Sequence, residues 1–288
     1  MQFDGKRESE NVEDRRGKAG RNGLGVGRGI GIGTVVLTLA ASYFFGIDPS
    51  VMLDLISGGG TPASQSEPAH KHPANDEVAI FVSKVLADTE DTWRVIFQQT
   101  DRQYQDPKLV LFTGATPTAC GTGQTAIGPF YCPLDQTVYI DLAFYQDLKT
   151  RYQAPGDFAQ AYVIAHEVGH HVQNLLGTMA KVQAAQGRAG KTQANALSVR
   201  LELQADCLAG VWAYHADRVR SVIEEGDIEE GLAAASAIGD DRMQQQAQGY
   251  VVPDSFTHGT SAQRAAWFGR GIKSGDLEHC NTFEVRPH

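Results

Sequence analysis

The sequence FAQAYVIAHEVGHHVQNLL, residues 158–176, predicts a central helix. Its apolar residues recur at the spacing of a helix with a buried face, and Gly177 follows as a stop signal. Inside this helix His166, Glu167 and His170 form the pattern H-E-x-x-H. Positions four apart lie about one turn apart on one helical face, so both imidazoles can reach a single metal ion.

Glu167 is placed to act on water rather than to bind the metal itself. A zinc ion lowers the pKa of a bound water towards about 7, and a nearby carboxylate can accept the released proton. The pattern could arise by chance on a surface helix. Here, however, the flanking residues are largely apolar, and buried histidines without a partner would be costly. The helix therefore predicts a metal-hydrolase site with Glu167 as its catalytic base.

A catalytic zinc site needs a third protein ligand. The residues after His170 do not continue the extended pattern H-E-x-x-H-x-x-G-x-x-H, so this ligand must come from elsewhere. In LELQADCLAG, residues 201–210, Glu202 and Asp206 lie one turn apart near an apolar helical face. We predict that Glu202 binds the metal and that Asp206 accepts a hydrogen bond from a ligand histidine. A solvated pair of acids is the alternative.

The segments HEVGHHVQ and ELQADCLAG together resemble the neutral zinc metallopeptidase family of bacterial membrane-anchored proteins. GPFYCPLDQTVYIDLAFY, residues 128–145, and SFTHGTSAQR, residues 255–264, match its pattern too, so the resemblance covers nearly the whole chain. More distantly, the chain is similar to gluzincin peptidases, which include the HtpX-like and CAAX-processing enzymes. The resemblance implies a zincin-like metallopeptidase domain, one zinc ion, a peptide or protein substrate, and Glu202 as the third ligand.

The same resemblance implies two further roles. TVYID, residues 137–141, resembles the edge strand that lies over the site in gluzincins and pairs with an extended peptide. His258 and Arg264 resemble a histidine and a downstream arginine of the HtpX-like enzymes, which would make His258 a catalytic residue that stabilises the oxyanion. A structural role near the start of the next helix is the alternative for His258. Tyr139 and Tyr145 are interpreted as core aromatic residues, and His171 as a packing residue or a hydrogen-bond partner of the ligands.

The chain has 288 residues and a formal charge of −9, which argues against a nucleic-acid partner. All charged residues between positions 15 and 28 are basic. The next residues, 29–47, have the sequence GIGIGTVVLTLAASYFFGI and carry no charge. A helix of that length spans roughly 28 Å, close to the hydrocarbon thickness of a bilayer. We therefore predict one N-terminal transmembrane helix as a lipid-bilayer anchor; a cleaved signal peptide and a buried helix are the alternatives.

The positive-inside rule gives this anchor an orientation. Residues 1–28 are predicted to be a basic cytoplasmic segment of a bacterial single-pass membrane protein, with the catalytic domain periplasmic or extracellular. Gly25, Gly29 and Gly33 would allow anchors to pack into a homo-oligomer. A flexible segment is the simpler interpretation of these glycines.

The remainder divides into a Gly/Ser/Pro-rich linker at residues 48–75 and a domain at residues 76–288. Few strands and many helices predict an α+β fold in which helices dominate. The apolar patterns predict strands and helices at the following ranges: strands 108–112 and 137–142, and helices 76–99, 144–152, 158–176, 192–222, 228–248 and 261–272.

Four cysteines lie in the domain: Cys120, Cys132, Cys207 and Cys280. An even number on the non-cytoplasmic side predicts disulfides, for which three connectivities are possible. Pairing Cys120 with Cys132 around a short Gly-rich loop, and Cys207 with Cys280, is the most economical of the three.

These features predict a membrane-anchored zinc endopeptidase. Two alternatives stay open. The domain could be a non-catalytic envelope scaffold or adaptor with a structural or vestigial zinc site, or a metal hydrolase acting on another bond such as a cell-wall amide.

Overall fold

The structure is a computed structural model that describes residues 1–17, 73–100 and 102–284. The predicted span at residues 29–47 and most of the predicted linker at residues 48–75 lie outside the described residues. Within the described ranges, no helix has both the length and the apolar character needed to cross a membrane.

Helices dominate the described part of the chain. They are α1 (Glu77–Gln98), α2 (Ala143–Thr150), α3 (Asp157–Leu175), α4 (Thr178–Gln186), α5 (Lys191–Arg218), α6 (Asp227–Ala237), α7 (Asp240–Gln248) and α8 (Ser261–Ser274). The sequence analysis gives no helix between residues 176 and 192, where α4 lies, and predicts one helix where α6 and α7 are separate. Gly239 separates the last two, and a Cβ there would lie 2.3 Å from the backbone nitrogen of Ser261.

The strands of the described residues form a four-stranded sheet and a hairpin. They are β1 (Val12–Asp14), β2 (Lys108–Phe112), β3 (Ala115–Thr118), β4 (Gly121–Gln124), β5 (Phe130–Cys132) and β6 (Thr137–Asp141). The sheet has the order β1-β2-β6-β5, and β3 pairs with β4. β1, β2 and β6 are parallel, whereas β5 runs antiparallel to β6. Many helices with a small sheet confirm the predicted α+β class.

The predicted position of TVYID at the sheet edge is wrong. This segment is β6, which lies between β2 and β5, and all of its residues are buried. The edge strand beside α3 is β5 instead. The sequence shows that a strand is buried, but strand order depends on which segments pair with it.

The helix α3 is the centre of the domain. It packs against α1, α5, α6 and the sheet, and most of its residues are buried. Around it lie large, fully buried aromatic side chains, among them Trp93, Phe158, Tyr162, Trp212 and Phe268. Tyr139 and Tyr145 are also buried in hydrophobic clusters, as expected for packing residues.

Residues 1–17 fold with the domain. β1 extends the sheet beside β2, with Val12 opposite Leu109, and Phe3 is buried in the main core. The charge pattern assigns residues 1–28 to a segment apart from the domain, whereas the structure packs the first seventeen residues against it. The remainder of that segment lies outside the described residues.

Two disulfides join Cys120 to Cys132 and Cys207 to Cys280, which confirms the most economical connectivity. The first closes the loop that contains β4 and leads to β5. The second attaches α5 to the short 3-10 turn Leu277–Cys280 near the end of the described chain.

Candidate metal centre

The helices α3 and α5 bring His166, His170 and Glu202 together. The Nε2 atom of His166 lies 3.2 Å from one oxygen of Glu202, and the Nε2 atom of His170 lies 3.4 Å from the other. One nitrogen or oxygen from each of the three side chains lies within 4.8 Å of the others, as a shared metal ion requires. The structure therefore places these three predicted ligands at one point.

A glycine inside the H-E-x-x-H pattern permits this approach. A Cβ added at Gly169 would lie 2.9 Å from the backbone carbonyl oxygen of Ala205 on α5. Because that neighbour is backbone, it cannot rotate away as a side chain could. The absence of a side chain at Gly169 sets the spacing of α3 and α5, and therefore the spacing of the ligands.

Gly169→Ala is expected to weaken metal binding by separating the two helices. Overpacking of this kind costs about 1–3 kcal/mol, and the better helix propensity of alanine offsets about 1 kcal/mol of it. Gly187→Ala is the control, since Gly187 is exposed and its nearest neighbour lies 3.6 Å from an added Cβ. Zinc titration and thermal unfolding check the prediction. Equal zinc affinity in both variants would show that Gly169 does not control the ligand spacing.

Asp206 orients His166 from the side opposite the ligand cluster. Its Oδ1 atom lies 2.8 Å from Nδ1 of His166. The buried Arg264 donates to both oxygens of Asp206, from Nε at 2.9 Å and from Nη2 at 3.0 Å, and the Tyr162 hydroxyl donates to it at 2.5 Å. Asp206 thus lies against a ligand histidine, which is the arrangement that its predicted role needs. Arg264 holds this carboxylate, and its Nη2 atom also lies 3.4 Å from Nδ1 of the ligand His166.

His170 is oriented by glutamine side chains that the sequence analysis does not identify. Its Nδ1 atom lies 2.9 Å from Oε1 of Gln173, and Gln173 donates to Oε1 of Gln204 at 3.1 Å. Gln204 donates in turn to the carbonyl oxygen of Cys280 at 3.0 Å. Gln173 lies three positions after His170, so helical spacing is the one sequence signal that could have indicated it.

The carboxylates of the cluster favour a positive charge beside them. Burial opposes a positive charge on His166, but Asp206 and Glu202 outweigh it and raise the pKa of His166 to about 10. Burial also opposes the charge on Glu202, yet the two histidines hold its pKa well below the usual range. The carboxylates that attract protons to the histidines would attract a divalent cation in the same way, so protons and the cation compete for this site. Metal binding must displace these protons and weakens as the pH falls.

Glu167 faces a cavity beside the ligand cluster. The cavity has a volume of about 380 Å³ and is lined by residues that include Glu167, the three ligands and His258. Glu167 itself is buried, and burial raises the pKa of its carboxyl. A carboxyl with a raised pKa can accept and return a proton more readily near neutral pH.

His258 lines the same cavity from a loop before α8. Asp240 at the start of α7 holds this loop: its Oδ2 accepts hydrogen bonds from the backbone N–H groups of Thr257, His258 and Gly259. Oδ1 of Asp240 lies 3.2 Å from Nδ1 of His258, and this hydrogen bond raises the pKa of the imidazole. About half of the His258 side chain is exposed. No local sequence pattern indicates Asp240, since its partners are 17 to 19 residues further along the chain.

His171 belongs to the packing of the domain. It is fully buried, with Nδ1 at 2.9 Å from the hydroxyl of Tyr131 on β5 and Nε2 at 2.6 Å from the carbonyl oxygen of Gln105. Burial lowers its pKa to about 4. A neutral imidazole can donate from Nε2 and accept at Nδ1, so His171 connects the edge strand to α3.

The donor set suits zinc. Two imidazole nitrogens and one carboxylate oxygen converge beside a cavity that leaves space for water and a substrate, as in catalytic zinc sites. Both Nδ1 atoms have hydrogen-bond partners, and both Nε2 atoms face Glu202. These features define a candidate metal centre of the H-E-x-x-H type with a glutamate as third ligand.

Comparison with known proteins gives the family. The family described as "Putative neutral zinc metallopeptidase" matches residues 1–283, so the chain belongs to this family. It is 53% identical over 291 residues to the uncharacterized protein YpfJ of Escherichia coli (strain K12), covering 98% of this chain and 99% of that protein. It is 47% identical over 193 residues to the uncharacterized protein Rv2575 of Mycobacterium tuberculosis (strain H37Rv), covering 63% of this chain and 64% of that protein. No solved structure matches the chain at a significant level.

Proposed function

We propose that the protein is a zinc-dependent endopeptidase of zincin-like architecture. The observation that carries the proposal is the position of Glu167, a buried carboxylate that faces the cavity next to the cluster of His166, His170 and Glu202. A structural metal site needs its ligands only. A catalytic carboxylate and an adjoining cavity are what hydrolysis requires in addition.

The ligands, Glu167 and His258 have different roles in the proposed hydrolysis. One zinc ion held by His166, His170 and Glu202 would supply Lewis acidity and a nucleophilic water at neutral pH. Glu167 accepts the proton of the attacking water and passes it to the leaving amine. His258, half-exposed at the cavity wall, donates a hydrogen bond to the oxygen that becomes negative as the peptide carbonyl is attacked.

The cavity suits a peptide with a bulky apolar side chain near the bond to be cleaved. Much of its wall is apolar and comes from several elements: Ile127, Phe130, Phe144, Val163, Ile238 and Met243. Its principal cation, Arg264, is already paired with Asp206. The edge strand β5 contributes Phe130 and Tyr131 to the same wall and would pair with an extended substrate through its backbone.

We propose a bacterial membrane location for this activity. The uncharged residues 29–47 would anchor the protein in the lipid bilayer, and a homo-oligomer of anchors is compatible with their glycines. Two disulfides support a domain on the periplasmic or extracellular side, where disulfides persist.

The second candidate is a non-catalytic envelope scaffold or adaptor with the same zinc site. It would explain the ligands but not the burial of Glu167 beside an accessible cavity. Hydrolysis of another amide, such as a cell-wall bond, would use the same groups, but the cavity offers little polar surface for a sugar-bearing substrate.

The full-length protein is expected to cleave an unfolded protein such as reduced casein when zinc is bound. A chelator should abolish cleavage and added zinc should restore it, and bonds beside Leu, Phe or Met should predominate among the fragments identified by mass spectrometry. Loss of zinc without any change in a measurable cleavage rate would contradict the proposal. Stoichiometric zinc with no cleavage of casein or of purified peptidoglycan would favour the scaffold.

A further inference from the structure

We propose that residues 1–17 and the domain lie on the same side of the membrane. In this arrangement the N-terminal segment supplies a strand of the domain's sheet. This inference concerns the placement of the chain and does not depend on peptide hydrolysis. It replaces the orientation predicted by the basic run, in which residues 1–28 lie in the cytoplasm and the domain lies across the membrane. The proposed anchor at residues 29–47 would then have to hold the protein to the bilayer without a net crossing of the chain.

The backbone of the segment is part of the sheet. The N–H group of Leu109 donates to the carbonyl oxygen of Asn11 at 2.9 Å, and that of Arg15 donates to the carbonyl oxygen of Leu111 at 2.8 Å. Paired strands are about 4.8 Å apart, whereas the hydrocarbon core of a bilayer is about 30 Å thick. A single crossing between residues 17 and 73 would put β1 and β2 on opposite faces, where they could not pair.

A buried carboxylate of the domain accepts hydrogen bonds from polar side chains of residues 1–17. Glu90 on α1 is 1% exposed and accepts hydrogen bonds from the Ser9 hydroxyl at 2.5 Å and the Asn11 amide at 2.8 Å. Arg7 donates to the second oxygen of Glu90 at 2.8 Å. A buried carboxylate is tolerated only where donors and a positive charge compensate it, and here the segment supplies them.

Apolar contact supports the same position. Phe3 is buried and lies edge-on to Phe81 of α1, with ring centroids 5.8 Å apart. Val12 is buried in the main core. A segment exposed to the cytoplasm on its own would leave these side chains, and the edge of β2, in contact with water.

The described residues on the two sides of the stretch 18–72 lie close together on the domain. Arg16, near the end of the first described range, makes an ion pair of 2.7 Å with Asp76, near the start of the second. The chain therefore leaves the domain and returns to it at neighbouring points. The two disulfides favour an oxidising compartment for the domain, and residues 1–17 would share that compartment.

Labelling of single cysteines with a membrane-impermeant maleimide tests the inference. The described residues contain no free cysteine, so the wild-type protein gives the background. Glu10→Cys places a thiol on an exposed position of the segment, and Val219→Cys places a matched thiol on the domain, where Val219 is 68% exposed. Full-length variants are labelled in intact bacterial spheroplasts and again after lysis.

Both variants are expected to react in intact spheroplasts, with no increase in labelling on lysis for either. Protection of both thiols until lysis would also place them in one compartment and would support the inference, while moving the domain to the cytoplasm. Labelling of Val219→Cys in intact spheroplasts with Glu10→Cys protected until lysis would overturn it and restore the orientation predicted from charge.

Discussion

Glu167→Gln is expected to leave zinc bound and to reduce peptide hydrolysis by about 10²–10⁴-fold, the usual contribution of a general base. Glutamine preserves the size of the side chain and the contacts of α3 but cannot accept a proton. The loss should appear in kcat rather than KM, because Glu167 acts on the attacking water and not on the bound peptide. Cleavage kinetics with a fluorogenic apolar peptide, together with zinc content, provide the measurement.

Glu225→Gln is the matched control for this variant, because it makes the same chemical change at an exposed position outside the cavity. It should retain the wild-type rate. If Glu167→Gln bound zinc and cleaved the peptide as fast as this control, Glu167 would not be the base, and the proposed mechanism would fail while the metal site stood.

Glu202→Gln is expected to weaken zinc binding by more than the removal of any supporting residue. It removes the only carboxylate among the three ligands, and a neutral amide oxygen is a weaker donor for a divalent cation. Loss of an outer hydrogen-bond partner typically costs about 10–100-fold in metal affinity, so Asp206→Asn should fall in that range and Glu202→Gln beyond it. Competition with a chromophoric chelator at neutral pH measures both constants.

The order of the two effects distinguishes the roles of the carboxylates. Asp206→Asn also leaves Arg264 buried without its ionic partner, so this variant should unfold at a lower temperature as well. Wild-type zinc affinity in Glu202→Gln would exclude Glu202 as a ligand. A greater loss in Asp206→Asn than in Glu202→Gln, with both variants folded, would exchange the two assigned roles.

The sequence predicts those parts of the fold whose pattern is local. β2 extends over Lys108–Phe112, the predicted range, because a short apolar run between polar residues is visible along the chain. The predicted helix at residues 158–176 matches α3 within a residue at each end. In contrast, β1 has only three residues, two of them acidic, and forms because β2 offers an edge. No alternation within such a segment could indicate it.

The residues of the site also differ in how well the local sequence pattern indicates them. Spacing along two helices indicated the residues that converge at the candidate metal centre, since a helix brings positions four apart to one face. The supporting residues were harder to predict. Asp240 acts through the backbone of residues 257–259, and Gln204 acts through the carbonyl of Cys280, which is 76 residues further along the chain. Such partners depend on tertiary packing, for which one sequence has no local signal.

The hydrogen bonds that lead from His170 through the side-chain amides of Gln173 and Gln204 also have a fixed donor–acceptor direction. A backbone carbonyl can only accept, so the oxygen of Cys280 requires the amino group of Gln204 to point towards it. The oxygen of Gln204 then faces the amino group of Gln173, and the oxygen of Gln173 faces Nδ1 of His170. In neutral His170 the proton must therefore be on Nδ1, which leaves the lone pair of Nε2 for the metal. The carbonyl oxygen of Leu201 fixes the same orientation, since the amino group of Gln173 also donates to it at 2.7 Å. The acceptor at the end of the chain of amides belongs to a disulfide-bonded cysteine, so the cross-link that closes the domain also supports the proton arrangement on one ligand.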